Sequence, residues 1–387
     1  PALPPAITYA ATQTRDFERR YWATIAELAT ERWRSKNNAD RVASAGARDL
    51  DDLADELARR HAAAIARHRV AGSAIGHHWF RWETDFHFPW SAGWAKNQVH
   101  GPRERNVICV IPGRNRREAV VLADHYDTAY MEDVYDGKLA GVAAHTRHAA
   151  PGADDNHSAT AALLLAADVL LPLSRAGALE RDVWLVHLTG EEFPGDSLGA
   201  RQLVRRLVEG TLALADARDG RAIDLAGVEV TGAIVMDMIA HRGPRAGYRF
   251  QIAPGEGDRA MAVALAAHLA TERWNASAAR KNRGAARVHA RPYRRRPTGT
   301  RVPAIAPHAH LVGEIRPHWH WSSTVFNTDA QCASDAGLPI ALFMEHYDID
   351  RRGYHDTLDT LANIDLDFGA AIAAVAIETA AALATAR

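Results

Sequence analysis

Val183-Trp-Leu-Val-His-Leu-Thr-Gly-Glu-Glu192 is the stretch that decides the fold class. Its apolar residues run almost unbroken to Leu188, as in a strand buried on both faces of a parallel sheet, and a Thr-Gly turn then presents two adjacent carboxylates. In open α/β sheets chemistry sits at such strand ends. Neighbouring glutamates repel each other unless a cation or a shared proton holds them, so Glu191 and Glu192 require a partner elsewhere in the chain.

The same pattern recurs on either side. Residues 106–111 form a short apolar strand closed by Pro112-Gly113, and residues 119–123 form another that ends in Asp124-His125-Tyr126-Asp127. Residues 232–237 place Asp237 at the end of a buried strand, and residues 337–344 resume the strand pattern before a loop bearing Tyr354 and His355. Helical spacing of Tyr21, Ile25 and Leu28, then of Leu50, Leu53, Leu57 and Ala64, predicts two helices separated by the polar break 34–40. Further helices are predicted over 159–171, capped by the preceding Asp/Asn/Ser cluster and ended near Pro172, and over 197–208, 260–274 and 366–384. Alternation in Phe80-Arg-Trp-Glu-Thr-Asp-Phe86 predicts an edge strand, with the surrounding aromatics used in packing.

Strands alternating with helices predict an α/β fold, a mostly parallel mixed central sheet sandwiched between helices. The chain divides into an N-terminal helical segment, 1–70, packed on a catalytic domain, 71–387. An Arg-rich insertion near 276–316 contains the acid-free run 280–301, whose composition predicts an excursion rather than a core element.

At 387 residues and 47% hydrophobic content the chain can bury a large core. With 46 basic and 47 acidic residues, a net charge of -1 excludes a global bias toward nucleic acid, membrane surfaces or acidic partners. Cys109 and Cys332 cannot make a disulfide framework. No run of about 18 apolar residues suggests a membrane span. The expectation is therefore a soluble protein, and since the chain begins at Pro1 it is taken as either cytoplasmic or exported with its signal peptide absent from this chain.

The polar residues gathered at strand ends and on the nearby loops are His125, Asp155, Glu191, Glu192, Asp237 and His355. Singly, each has a structural explanation; together, two histidines and several carboxylates suit zinc, with three protein ligands and an open position marking a catalytic site. One zinc takes His125 and Asp237, the other Glu192 and His355, with a carboxylate bridging them. Two zinc ions against three carboxylates and one hydroxide sum to zero charge. Glu191 is then left unligated, placed as a general base toward a zinc-activated water.

At His125-Tyr-Asp127, Gly152-Ala-Asp-Asp-Asn156, Gly190-Glu-Glu192 with Gly199-Ala200, Met236-Asp237-Met238, and Tyr354-His355 with Asp359, the chain resembles the zinc-dependent exopeptidases of the M28 aminopeptidase group. These motifs occur in family order over roughly residues 106–367. The resemblance implies two Zn²⁺ per chain held by His125, Asp155, Glu192, Asp237 and His355, with Glu191 as base. Asp127 is implied to orient a histidine and Tyr354 to hydrogen-bond the oxyanion. The choice of Asp155 over Asp154 as the bridge rests on the resemblance. Two features depart from the family pattern: a longer connection from His125 to Asp155, and the Arg-rich segment. The phrase Thr328-Asp-Ala-Gln-Cys-Ala-Ser-Asp-Ala-Gly-Leu-Pro339 loosely matches a Ser-Asp-His element without its histidine, and no site residue is carried from it.

The implied activity is that of an aminopeptidase acting on a peptide or aminoacyl substrate next to a free terminus. One alternative is a single-zinc glutaminyl-peptide cyclotransferase, which His125-Tyr-Asp-Thr128 and Asp196-Ser-Leu-Gly199 also resemble. The other is a carboxypeptidase of the same family, toward which an Arg-rich segment leaning over the cleft would move the specificity. No nucleic-acid partner is expected, since only Tyr293 interleaves the basic residues of that segment.

Overall fold

A computed structural model describes residues 4–30, 32–38, 48–81, 103–146, 148–243, 245–289, 308–346 and 352–386. Its centre is a ten-stranded sheet in the order β6-β5-β1-β2-β4-β3-β7-β10-β8-β9. The strands are β1 (Ala74–Arg81), β2 (Arg103–Ile111), β3 (Asn115–His125), β4 (Arg181–Leu188), β5 (Ala213–Asp216), β6 (Ala222–Asp224), β7 (Glu229–Asp237), β8 (Arg249–Pro254), β9 (Val312–Ile315) and β10 (Ile340–Glu345). The four neighbours β4, β3, β7 and β10 run parallel, with antiparallel strands added on both sides.

The pleat sorts each of these strands between two cores. In β4, Val183 and Leu185 join one apolar cluster while Trp184 and Val186 join the other; in β3, Val120 and Leu122 oppose Val121 and Ala123 in the same way. Helices α2 (Arg15–Leu28), α3 (Asp49–His68), α5 (His157–Arg175), α7 (Asp258–His289) and α9 (Leu366–Thr385) cover the first face. The second is covered by the shorter α6 (Leu198–Val208) and α8 (Ala330–Asp335). The short helices α1 (Tyr9–Thr12) and α4 (Glu132–Tyr135) complete the named helices. Tyr21, Ile25 and Leu28 of α2, and Leu50, Leu53 and Leu57 of α3, are fully buried in the same cluster as α5 and α9. Thr14 caps α2 by accepting the N–H of Phe17, and Asp365 caps α9 by accepting that of Phe368.

Several expectations are corrected. Residues 80–81 belong to β1, which lies between β2 and β5 and so is not an edge strand; the rest of the aromatic stretch, 82–102, lies outside the described residues. Helix α5 continues through Pro172 to Arg175, because proline forfeits a single backbone donor and the surrounding core holds the remaining turn. Helix α7 runs on to His289, so the first half of the Arg-rich run is helix: its Ala, Arg and Lys are good helix formers, and no proline interrupts it before Pro292. Residues 290–307, with Arg294, Arg295 and Arg296, lie outside the described residues. Finally, α5 and α9 are long and apolar enough to cross a membrane by length and composition, but 67% and 83% of their most apolar windows are buried inside the fold. Here those apolar faces serve the core.

Candidate metal centre

Three adjacent parallel strands deliver the first ligand candidates. His125 is the last residue of β3, Asp237 the last of β7, and Glu191 and Glu192 follow β4 across the turn at Gly190. Gly190 has φ of +67°, a left-handed conformation that glycine adopts without steric cost and that swings both carboxylates over the sheet edge. Asp155 comes from the loop entering α5, and His355 from the loop after β10.

The geometry centres on Asp155. Its Oδ1 lies 3.4 Å from Nε2 of His125, and its Oδ2 lies 3.4 Å from Nε2 of His355. Asp237 Oδ1 is 3.5 Å from the His125 Nε2, and Glu192 Oε2 is 3.3 Å from the His355 Nε2. Three overlapping groups result, His125–Asp155–Asp237, Asp155–Glu192–His355 and His125–Glu191–Glu192, each with its donor atoms within 4.8 Å of one another. Glu191 Oε2 stands 3.9 Å from the His125 Nε2.

Both rings are oriented from behind. His125 Nδ1 is 3.1 Å from the backbone carbonyl of Asp127, and His355 Nδ1 is 3.1 Å from Oε1 of Glu132. Each acceptor requires the proton to sit on Nδ1, which in the neutral ring leaves the Nε2 lone pair facing Asp155. Asp127 therefore meets His125 chiefly through its main chain; its carboxylate accepts the N–H of Glu191 at 3.3 Å and of Glu192 at 3.1 Å, holding the glutamate pair itself. Tyr354 stacks on His355 with ring centroids 3.6 Å apart and lines the cleft.

Asp154 and Asp155, indistinguishable by type, are separated by their surroundings. Asp154 turns away and accepts the N–H groups of Ala240 and His241, whereas Asp155 faces both histidines. The buried carboxylate of Asp359 accepts the N–H of Asp154 at 2.7 Å and of Asp155 at 3.2 Å. Asn156 donates to the carbonyl of Met236 and accepts from the N–H of Met238, tying the start of α5 to both sides of Asp237.

The electrostatics are those of carboxylates packed around two imidazole rings. Burial disfavours charge on the His125 ring, but Glu191 and the bonded Asp127, Asp155 and Asp237 overcome it and hold its pKa well above the usual value. Burial is likewise outweighed at His355 by Glu192, Asp155 and Glu132, and its pKa rises to about 10. Burial, opposed by His355 and reinforced by Asp155, lifts Glu192 to about 8, and burial with Glu192, Asp237 and Asp329 lifts Glu191 well above the carboxylate range despite His125. At Asp155 the two histidines outweigh burial and keep the carboxyl ionised. Among the described residues, His125 Nε2 and Glu192 Oε1 are buried without a hydrogen-bond partner. Two imidazole nitrogens and three carboxylates at these separations form a nitrogen and oxygen donor set that fits divalent cations, zinc included.

Two residues near the centre escaped the sequence reading. Glu132 lies in the long connection after His125, and no local pattern marks it. Asp329 lies within the phrase 328–339 that loosely matches a Ser-Asp-His element. It is buried, and burial, opposed by His125 and reinforced by Asp127 and Asp237, lifts its carboxyl to about 8.

The cleft above these residues has a volume of about 320 Å³ and is walled by Phe193, Met238, Phe326, Met344 and Tyr354 beside the acids. Among the described residues that line it there is no lysine or arginine.

The fold recurs in solved structures. The LapA aminopeptidase of Legionella pneumophila superposes with a TM-score of 0.58 at 14% identity, over 96% of this chain and 71% of that one. A leucine aminopeptidase precursor from Bacteroides thetaiotaomicron gives 0.56 at 13% identity, over 98% of each chain. A glutaminyl cyclase from Bacteroides thetaiotaomicron gives 0.55 at 13% identity, over 94% of this chain and 96% of that one. At such identities the likeness is one of fold. No curated protein matches the sequence. Residues 106–296, which carry His125, Asp155, both glutamates and Asp237, match peptidase family M28.

Proposed function

We propose that the protein is a co-catalytic di-zinc aminopeptidase that hydrolyses the peptide bond next to a free amino terminus. The observation that carries this reading is the position of Asp155, with one carboxylate oxygen toward each histidine at equal distance, the arrangement a bridging ligand requires. His125 and Asp237 would complete one site, and Glu192 and His355 the other. Zinc bound there supplies Lewis acidity, which polarises a peptide carbonyl and makes a water acidic at neutral pH. Glu191 groups with His125 and Glu192 but lies outside both groups that contain Asp155, and it lines the cleft, where its carboxylate would take the proton of the attacking water and pass it to the leaving amine. Asp127 keeps Glu191 in place through the backbone bond. Tyr354, at the mouth of the cleft, is positioned as a donor toward the developing oxyanion.

The lining favours the amino end of a peptide. A terminal ammonium entering the cleft meets Glu191 and Asp196, while a terminal carboxylate would find no lysine or arginine among the described lining residues. Phe193, Met238, Phe326 and Met344 offer apolar contacts to the side chain of the first residue.

Metal content per chain, measured with turnover of a substrate panel, tests the reading. The expected result is about two zinc ions per chain and chelator-sensitive release of the first residue, blocked by N-acetylation and indifferent to C-terminal amidation. A single zinc with conversion of N-terminal glutaminyl peptides to cyclic product would overturn it, as would cleavage of N-acetylated peptides from the carboxyl end.

A further inference from the structure

Beyond the ligands themselves, an unusual group of buried polar residues enters the site from the N-terminal segment. Residues 36–38, Lys-Asn-Asn, sit in the polar break between α2 and α3, yet each is at most 2% exposed. Burying a lysine and two amides costs several kcal/mol unless every donor is used. Their donors go to specific places.

The Lys36 ammonium donates to the carbonyls of Leu28 at 3.1 Å and Pro151 at 2.7 Å, and lies 3.0 Å from Nε2 of His157. Its own carbonyl accepts the N–H of Thr128. The two N–H groups of the Asn37 amide are divided between two loops, one to the carbonyl of Thr128 at 3.0 Å and one to that of Phe193 at 3.1 Å. Asn38 donates to the hydroxyl of Thr189 at 3.1 Å. Just upstream, the N–H groups of Arg34 and Ser35 are both held by Asp49 at the start of α3.

These acceptors are not scattered. Thr128 ends the loop that begins at His125; Thr189 and Phe193 bracket Glu191 and Glu192; Pro151 and His157 bracket Asp155. The last of these loops is gripped from two sides, its N–H groups by Asp359 and its carbonyl at Pro151 by Lys36. Burial drives the Lys36 ammonium down to about 7 against the pull of Asp359 and Asp49, so this grip is made at the cost of a buried charge.

We propose that residues 36–38 are a positioning strap of the active site: Lys36, Asn37 and Asn38 set the separation of the three loops that carry His125, Asp155 and the Glu191–Glu192 pair. The N-terminal segment is thereby a working part of the catalytic centre as well as a helical cover. This rests on the metal reading of the site given above. A carboxylate or imidazole displaced by a fraction of an ångström weakens a ligand and misplaces a base, so the strap acts on metal retention and kcat, with little effect on KM.

The test compares Asn37→Ala with Glu378→Gln. Glu378, buried in α9, holds the N–H groups of Ile7 and Thr8 and so fastens the same N-terminal segment away from the cleft. For each purified full-length enzyme, zinc per chain is followed during exposure to a chelator, kcat and KM are measured on the zinc-loaded enzyme, and the melting temperature is recorded. Asn37→Ala is expected to release zinc roughly ten- to a hundredfold faster and to lose kcat by a similar factor, with KM within about threefold of wild type. Glu378→Gln should lower the melting temperature while zinc release and kcat stay at wild-type values. Should Asn37→Ala fail to fold, Asn38→Ala, which removes the bond to Thr189 and leaves those to Thr128 and Phe193, is expected to shift zinc release and kcat in the same direction by less. Wild-type zinc retention and kcat in the folded Asn variant, with only its melting temperature changed, overturns the strap alone. Absence of zinc from the wild-type chain overturns the metal reading instead, and the strap's role with it.

Discussion

At the scale of single residues, adjacent and chemically identical side chains take different tasks because their backbones point them differently. Glu192 reaches His355 at 3.3 Å whereas Glu191 faces His125 at 3.9 Å, although one peptide bond separates them. Glu191→Gln is accordingly expected to keep full zinc occupancy while kcat falls by orders of magnitude, since it removes a proton acceptor and no ligand; Glu192→Gln should lower zinc occupancy. Elemental analysis alongside steady-state kinetics distinguishes the two, and a Glu191 variant that lost zinc beside an active Glu192 variant would exchange their roles. A second residue-scale expectation concerns pH. Burial and the nearby Arg206 hold His78 at about 4, so the folded ring stays neutral where the unfolded one, near 6.5, takes up a proton. Its contribution to stability is therefore complete above about 6.5 and lost as the pH falls through about 4. In His78→Gln the drop in melting temperature between pH 7 and pH 4.5 should be smaller than in wild type; an unchanged drop would show that the ring titrates normally. His125 and Asp237 were legible because each ends an apolar strand, and Glu191 because it follows one across a short turn, which only a few residues can do. Asp155 was not separable from Asp154 by pattern, since the difference is which neighbour claims each carboxylate.

At the scale of elements, the site depends on how closely α6 approaches the end of β4. Gly199 sits where a Cβ would lie 2.4 Å from the Thr189 carbonyl and 2.5 Å from Oδ1 of Asn106, and its own carbonyl accepts from Asn106. Gly199→Ala must push the helix away from the strand end, at a cost of about 1–3 kcal/mol. Because Thr189 opens the turn to Glu191, kcat should fall together with the melting temperature, and a variant as stable and active as wild type would mean that the helix yields freely. The helices themselves were readable from apolar spacing, with errors at their ends. Helix α7 outran its expected limit because helix-forming residues continue past the apolar stripe, and α5 passed Pro172 because tertiary packing offset one missing donor. Residues 36–38 read as a turn, since Lys and Asn in a polar break carry no sign that the surrounding loops will bury them.

At the scale of the whole molecule, the cleft gathers Asp155, Glu191, Glu192 and Asp237 above the buried Asp127 and Asp329, a charge the fold tolerates only with cations or protons among them. Removing zinc by chelation should therefore lower the melting temperature markedly, since a ligand at a thousand times its Kd stabilises the native state by about 4 kcal/mol. Binding must also displace the proton from His355, whose pKa in the metal-free protein is about 10, so zinc affinity should rise with pH from about 6 toward 10. Calorimetry in buffers of different ionisation enthalpy checks the proton release, and affinity independent of pH would contradict it. The α/β class, the strand ends and the types of side chain found there follow from the order of residues alone, because apolar periodicity and strand termini are local properties of the chain. Folding in three dimensions is what stands Asp155 between two histidines 230 positions apart along the chain, sets Glu132 and Asp127 behind their neighbours, and carries the N-terminal Lys-Asn-Asn stretch across the loops of the site. Hydrogen bonds between residues far apart in sequence leave no periodic trace, and which of two like carboxylates is used depends on neighbours that folding alone brings near.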